Sequence, residues 1–102
     1  MDAQHQLPYI PDSFAELYRG QRGRLMVLVE ELRQRYDLCE DLAQQIVPTA
    51  QALHHDDGLT EADVLLRMQQ ALGHADAGLR EDEAGWIVTR LAELLRWSWP
   101  PA

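Results

Sequence analysis

Few side chains in this sequence could do chemistry. His54-His55-Asp56-Asp57 sets two imidazoles beside two carboxylates, donors that suit a divalent metal or a proton relay. Neighbouring residues on a helix project about 100° apart, so at most one histidine and one aspartate can face a single ion. The spacing His-x-x-x-His, which aligns two imidazoles, is absent. His54, His55 and Asp56 therefore stand as weak metal candidates. The simpler expectation is a polar helix end, with imidazoles at the negative pole of its dipole. His74-Ala75-Asp76 is a thinner version of the same idea.

Cys39 lies among Asp37, Glu40 and Asp41, and burial and negative neighbours both disfavour a reactive thiolate. It is expected in the core, where free cysteine commonly sits. Glu40-Asp41 and Glu81-Asp82-Glu83 would serve as general acid and base only across a cleft. Nothing in the sequence places them so, and charge at a helix start explains them. With no lysine in the chain, a Gly-x-x-x-x-Gly-Lys-Ser/Thr phosphate loop is excluded. There is no Gly-x-Gly-x-x-Gly and no serine in a nucleophile elbow. The chain is read as a non-enzyme that needs no cofactor.

Charge narrows the partners. The 102 residues carry 17 acids against nine arginines, a net charge of −8. Residues 1–36 are balanced, so residues 37–102 hold the whole excess. Such a chain repels phosphate backbones, and direct nucleic-acid binding is not expected. Arg19, Arg22 and Arg24 could touch an anion, but read more simply as solvated side chains in a loop flanked by Gly20 and Gly23. One cysteine allows no internal disulfide. No apolar run approaches the roughly 20 residues that span a bilayer, and the first residues lack the features of a secretion signal. A cytoplasmic protein away from membranes is the expectation.

The elements that must position these groups are helical. Residues 1–11, with Pro8 and Pro11, read as an extended arm. Ser13 and Glu16 fit a capping box that opens a short helix bearing Phe14, Leu17 and Tyr18. Leu25, Val29, Leu32, Tyr36, Cys39, Ala43, Ile46, Ala50 and Leu53 then recur at alternating spacings of four and three, a heptad seam. The seam predicts one long helix over about residues 24–56. Asp37 with Glu40 could start a new helix, but the seam keeps its phase there, so the kink is placed at Pro48. A straight rod of this length would be about 50 Å long, too long for one small domain to cover. It must bend, or a second copy must cover it.

Thr60 caps the next helix, with Leu59 and Val64 as a hydrophobic staple; Val64, Leu65, Met68 and Leu72 form its buried face. A last helix starts at Glu81-Asp82-Glu83 and carries Trp86, Ile87, Leu91, Leu94 and Leu95. The tail 97–102 holds Trp97 and Trp99, which either cap the bundle or anchor a partner. The sum is a single all-α domain over 1–102, a four- or five-helix bundle with one long kinked helix.

Several strings carry a resemblance. They are Ile10-Pro11-Asp12-Ser13-Phe14, Leu38-Cys39-Glu40-Asp41-Leu42-Ala43, Thr60-Glu61-Ala62-Asp63-Val64-Leu65 with Arg67-Met68, Glu83-Ala84 with Trp86, and Arg90-Leu91-Ala92-Glu93-Leu94-Leu95 with Trp97. Together they resemble a family of short proteobacterial proteins often labelled "ATPase with chaperone activity". The resemblance implies a bacterial cytoplasmic setting and bears on fold, since the strings are mostly caps and core positions. It brings no catalytic residue to this chain.

The leading functional expectation is a non-enzymatic acidic helical interaction module, an adaptor or regulator of an unidentified protein partner that also associates with itself as a homodimer. Leu25, Val29, Leu32, Tyr36, Trp97 and Trp99 are its expected contact residues. One alternative is an acidic inhibitor of a basic nucleic-acid-binding protein. The other is a small metal protein or enzyme built on His54–Asp57.

Overall fold

The computed structural model describes residues 9–74 and 78–100. The fold is all-α. A single turn, α1 (Asp12–Ala15), runs into a 3-10 turn (Glu16–Tyr18). Four longer helices follow: α2 (Val29–Gln45), α3 (Val47–His55), α4 (Glu61–His74) and α5 (Glu81–Leu95). The chain divides into two compact units, one ending at Leu38 and the other starting at Cys39.

In the first unit the chain doubles back before α2 begins. Gly23 takes a left-handed φ of 74°, and its N–H donates to the Gly20 carbonyl at 3.0 Å. Gly20 donates to Arg24 (2.7 Å) and Met26 to Tyr18 (2.7 Å), with an antiparallel bridge between Arg19 and Leu25. These bonds engage the backbone of residues 18–26 in a small hairpin, so the long helix starts at Val29 rather than near residue 24. Leu25 is therefore off the helix. The start of α1 also differs from expectation: Pro11 occupies the cap position and Ser13 lies inside the turn, so Ser13 is not the N-cap. Phe14 is fully buried, its ring 5.6 Å from Tyr18 and edge-on to Tyr36 at 5.5 Å.

Helix α2 runs unbroken through Asp37. Arg33 pairs with both Glu30 and Asp37, holding the exposed face together around that residue. The expected bend is present but sits slightly upstream of Pro48. Ile46 interrupts the helix at φ −92°, ψ 0°, and Pro48 falls in the first turn of α3. There its missing N–H leaves no bond unmade, because first-turn donors have no intrahelical partner.

In the second unit, Ala50, Val64, Leu65, Val88, Leu91 and Ala92 form a buried cluster, which draws α3, α4 and α5 together. Thr60 caps α4 as its type predicts, its Oγ1 accepting from the Asp63 N–H at 3.1 Å. Glu83 reaches back to accept the Arg80 N–H at 2.9 Å, one half of a capping box. Helix α5 ends in a Schellman motif. The Trp97 N–H donates to Ala92 (2.9 Å), the Arg96 N–H donates to Glu93 (3.2 Å), and Arg96 adopts φ 63°, ψ 38°. A side chain in that left-handed conformation costs about 1 kcal/mol relative to glycine. Arg96→Gly should therefore raise stability by about 1 kcal/mol, read as a melting temperature higher by about 4 °C. An unchanged or lower melting temperature would mean that the Arg96 side chain contributes something the backbone argument omits.

Candidate functional site

The histidine cluster is local and divided. His54 is half-buried, with Nδ1 2.7 Å from the Leu59 carbonyl and its ring edge-on to Trp97 at 5.1 Å. That bond ties the end of α3 to the turn before α4. His55 stacks at a tilt 5.0 Å from His54 and is exposed, as are Asp56 and Asp57. Among the described residues no three His, Cys, Asp or Glu side chains converge on a point that could hold a metal. His74 lines a shallow cavity with Gln70, Gly73, Leu79 and Glu81, while Asp76 lies outside the described residues.

The acids have structural neighbours. Glu40 of α2 receives Arg90 of α5 in a bidentate grip, Nε to Oε1 at 2.8 Å and Nη2 to Oε2 at 3.0 Å. Gln44 adds a third donor at 2.8 Å. The Arg90 hydrogen bond holds the Glu40 carboxyl below the usual carboxylate range. Glu83, which the sequence marks only as first-turn charge, is fully buried; burial raises its carboxyl, and the Arg80 N–H works in the opposite direction.

The expected contact residues divide sharply. Trp97 and Trp99 are half-buried and pack against the α3–α4–α5 cluster. Leu32 is buried and Tyr36 half-buried against Phe14. Further along the seam, Cys39, Ala43 and Ala50 are fully buried. Leu25 is half-buried in the hairpin, and Val29 is exposed. Most of the heptad seam is thus covered within one chain.

Part of the exposed apolar surface lies where the seam marks only Val29. Met26 is 68% exposed and Leu28 76%, and Val29 at the start of α2 is exposed as well. The hairpin fixes the position of Met26, whose Sδ lies close over Gly20, where an added Cβ would sit 2.8 Å away. The sequence signal was the run Leu25-Met26-Val27-Leu28-Val29, five apolar residues in a row. A hairpin edge and a helix start can each bury only some of such a run. Exposed charges bracket it. Arg22 and Arg24 precede it in the hairpin and Glu31 follows in the first turn of α2, and among the described residues none of the three forms an ion pair. Glu30 is engaged by Arg33 instead, which lowers its carboxyl below the ordinary value. No protein-family model, curated protein or solved structure matches the chain.

Proposed function

We propose that this chain is a non-enzymatic interaction module, a small acidic helical adaptor or regulator that docks to a protein through Met26, Leu28 and Val29. The observation that carries the reading is the exposure of Met26 and Leu28, two positions apart in the chain, while most of the neighbouring seam is buried. Large apolar side chains grouped on a surface mark contact sites more often than isolated ones do. Flanking arginines and a glutamate supply a polar rim around an apolar centre, the usual anatomy of a protein interface.

The test compares two baits in cell extract by quantitative mass spectrometry: the wild-type chain and Met26→Ser/Leu28→Ser, with Leu66→Ser as an exposed apolar control. The double variant should lose at least about tenfold of a bound protein that the control retains, because two central apolar anchors are gone. If every bound protein is retained equally by all three baits, the reading fails. The double variant replaces exposed side chains, so its circular dichroism and melting temperature should stay close to wild type.

A second reading draws on the −8 carried by residues 37–102. An acidic surface of that strength would capture a basic partner in a salt-sensitive way. Binding that persists in both Met26→Ser/Leu28→Ser and high salt would oppose it.

A further inference from the structure

We propose that the cavity between the end of α4 and the start of α5 receives an arginine side chain of a basic partner protein. The proposal rests on the basic-partner reading above and gives it a site; it is independent of Met26 and Leu28. The cavity, of about 400 Å³, is lined by Gln70, Gly73, His74, Leu79 and Glu81. Two elements therefore bring these five residues to one place in space. Leu79 is half-buried and the other four are exposed.

The lining favours a cation. It contains no arginine, and the chain has no lysine. Gly73 and His74 end α4, where the last carbonyls find no donor within the helix and the negative pole of its dipole lies. The positive pole of α5 is opposed by Glu81, Asp82 and Glu83 in its own first turn. The Glu81 carboxylate forms no ion pair among the described residues, while Arg80, its neighbour in the chain, is held by Asp82 at 2.5 Å. The Gln70 side chain likewise has no hydrogen bond among the described residues.

Shape chooses between the two cationic side chains. A lysine ammonium is compact and strongly hydrated, and a shallow cavity open to water leaves that hydration in place. A guanidinium is planar, more weakly hydrated, and lies flat on other planar groups. Gln70 and His74 supply an amide plane and an imidazole plane. Glu81 supplies two acceptor oxygens for the fork of N–H donors, and Leu79 offers apolar surface to the methylene stem.

The probe is the peptide acetyl-Ala-Arg-Ala-amide, titrated into the full chain at constant ionic strength and followed by amide NMR shifts. The Gly73, Leu79 and Glu81 amides should shift together with a dissociation constant on the order of 5 mM, since one side chain in an open cavity gains little. Citrulline in place of the arginine removes the charge and should weaken binding at least about tenfold. Lysine in its place should weaken it about threefold, and methylguanidinium, which lacks the stem, by a similar factor. Glu81→Gln should weaken peptide binding at least about fivefold. Gly73→Leu adds a side chain at a lining position where an added Cβ meets no atom within 4 Å, so it occludes the cavity without a clash and should abolish binding. Circular dichroism confirms that each variant is folded.

The proposal is overturned by the absence of a saturable shift up to about 50 mM peptide. Binding unchanged in Glu81→Gln and Gly73→Leu overturns it too, as does a citrulline peptide bound as well as the arginine one. A lysine peptide bound as tightly removes the guanidinium, and methylguanidinium bound as tightly removes the protein as its source. Capture from extract separates the site from the reading beneath it. If a basic protein is released by high salt yet retained equally by Glu81→Gln, the cavity is excluded and the basic-partner reading stands. If no captured protein is salt-sensitive, that reading itself falls.

Discussion

Replacing Phe14 by alanine will destabilise the N-terminal unit by about 3–5 kcal/mol, and the damage will be local. Phe14 is fully buried and meets two other rings, Tyr18 and Tyr36. Each aromatic pair contributes about 0.5–1.5 kcal/mol beyond the area it buries. Among the described residues of the unit, the buried side chains are Phe14, Ala15, Tyr18 and Leu32. The hairpin depends on the same residues, because Tyr18 supplies the carbonyl that receives the Met26 N–H. Amide hydrogen exchange is the measurement. In Phe14→Ala the amides of Gly20 and Met26 should exchange much faster, while those of Val64 and Leu91 keep their wild-type rates. Phe14→Leu, which preserves most of the volume, should cost only about 1 kcal/mol and leave the pattern intact. Uniform acceleration across both units would refute the local account, and unchanged rates at Gly20 and Met26 would refute the role of the ring.

That expectation bears on the docking surface. Met26 closes the hairpin and Leu28 follows two residues later, and Tyr18 of the aromatic cluster receives the Met26 N–H. Phe14→Ala should therefore weaken any contact made through the patch although Phe14 itself is not exposed.

Particular residues show what the sequence made legible. The seam from Leu32 to Leu53 could be read because helical burial recurs with a period, and one chain reproduces that period in its covered side chains. The helix running through Asp37 followed from the same unbroken phase. Pro48 announced a bend because a proline cannot serve inside a helix, but it accommodates itself by starting the next one, so the break falls at Ile46. The Thr60 cap was legible because its hydroxyl acts on a backbone three residues away.

The hairpin was not legible, for a physical reason. Its bonds run backbone to backbone, Gly20 to Arg24 and Met26 to Tyr18, and side-chain periodicity carries no trace of them. Gly20 and Gly23 suggested a loop, yet the left-handed φ at Gly23 that lets the chain return is a property of the fold. Losing those residues from the helix put Leu25 in the hairpin and left Val29 at an exposed helix start. It also uncovered Met26 and Leu28, which a list of apolar residues assigns to a core. Trp97 and Trp99 could be read either way until the Schellman motif at Arg96 turned the chain back over the cluster. Glu83 was legible as a first-turn acid, but its complete burial was not, because that depends on which residues of other elements cover it.

The half-buried Glu40 leads to the second large effect. Arg90→Ala should cost about 2 kcal/mol near neutral pH, because it strips a mostly buried carboxylate of two charge-assisted hydrogen bonds. Glu40 would retain Gln44 as a side-chain donor, with its own side chain only 18% exposed. The pair joins residues 50 positions apart in sequence, so its loss also frees α2 from α5 at that point. The pH dependence has a definite sign. Arg90 holds the folded Glu40 carboxyl below its unfolded value, chiefly through its hydrogen bonds. The stability so gained is complete above the unfolded glutamate value of about 4.3, and it is lost as pH falls through the lower folded value. Glu83 runs the other way. Burial raises its carboxyl, so its ionised form costs stability at neutral pH, and that cost is relieved as pH falls toward 4.3. Urea unfolding of wild type alone would therefore blend two opposing trends. The difference between wild type and Arg90→Ala removes Glu83, which both proteins share. That difference should hold steady between about pH 6 and pH 8 and shrink toward zero below about pH 4. A gap that persists undiminished in acid would mean that Arg90 stabilises the fold through the packing of its stem and not through the charge of Glu40.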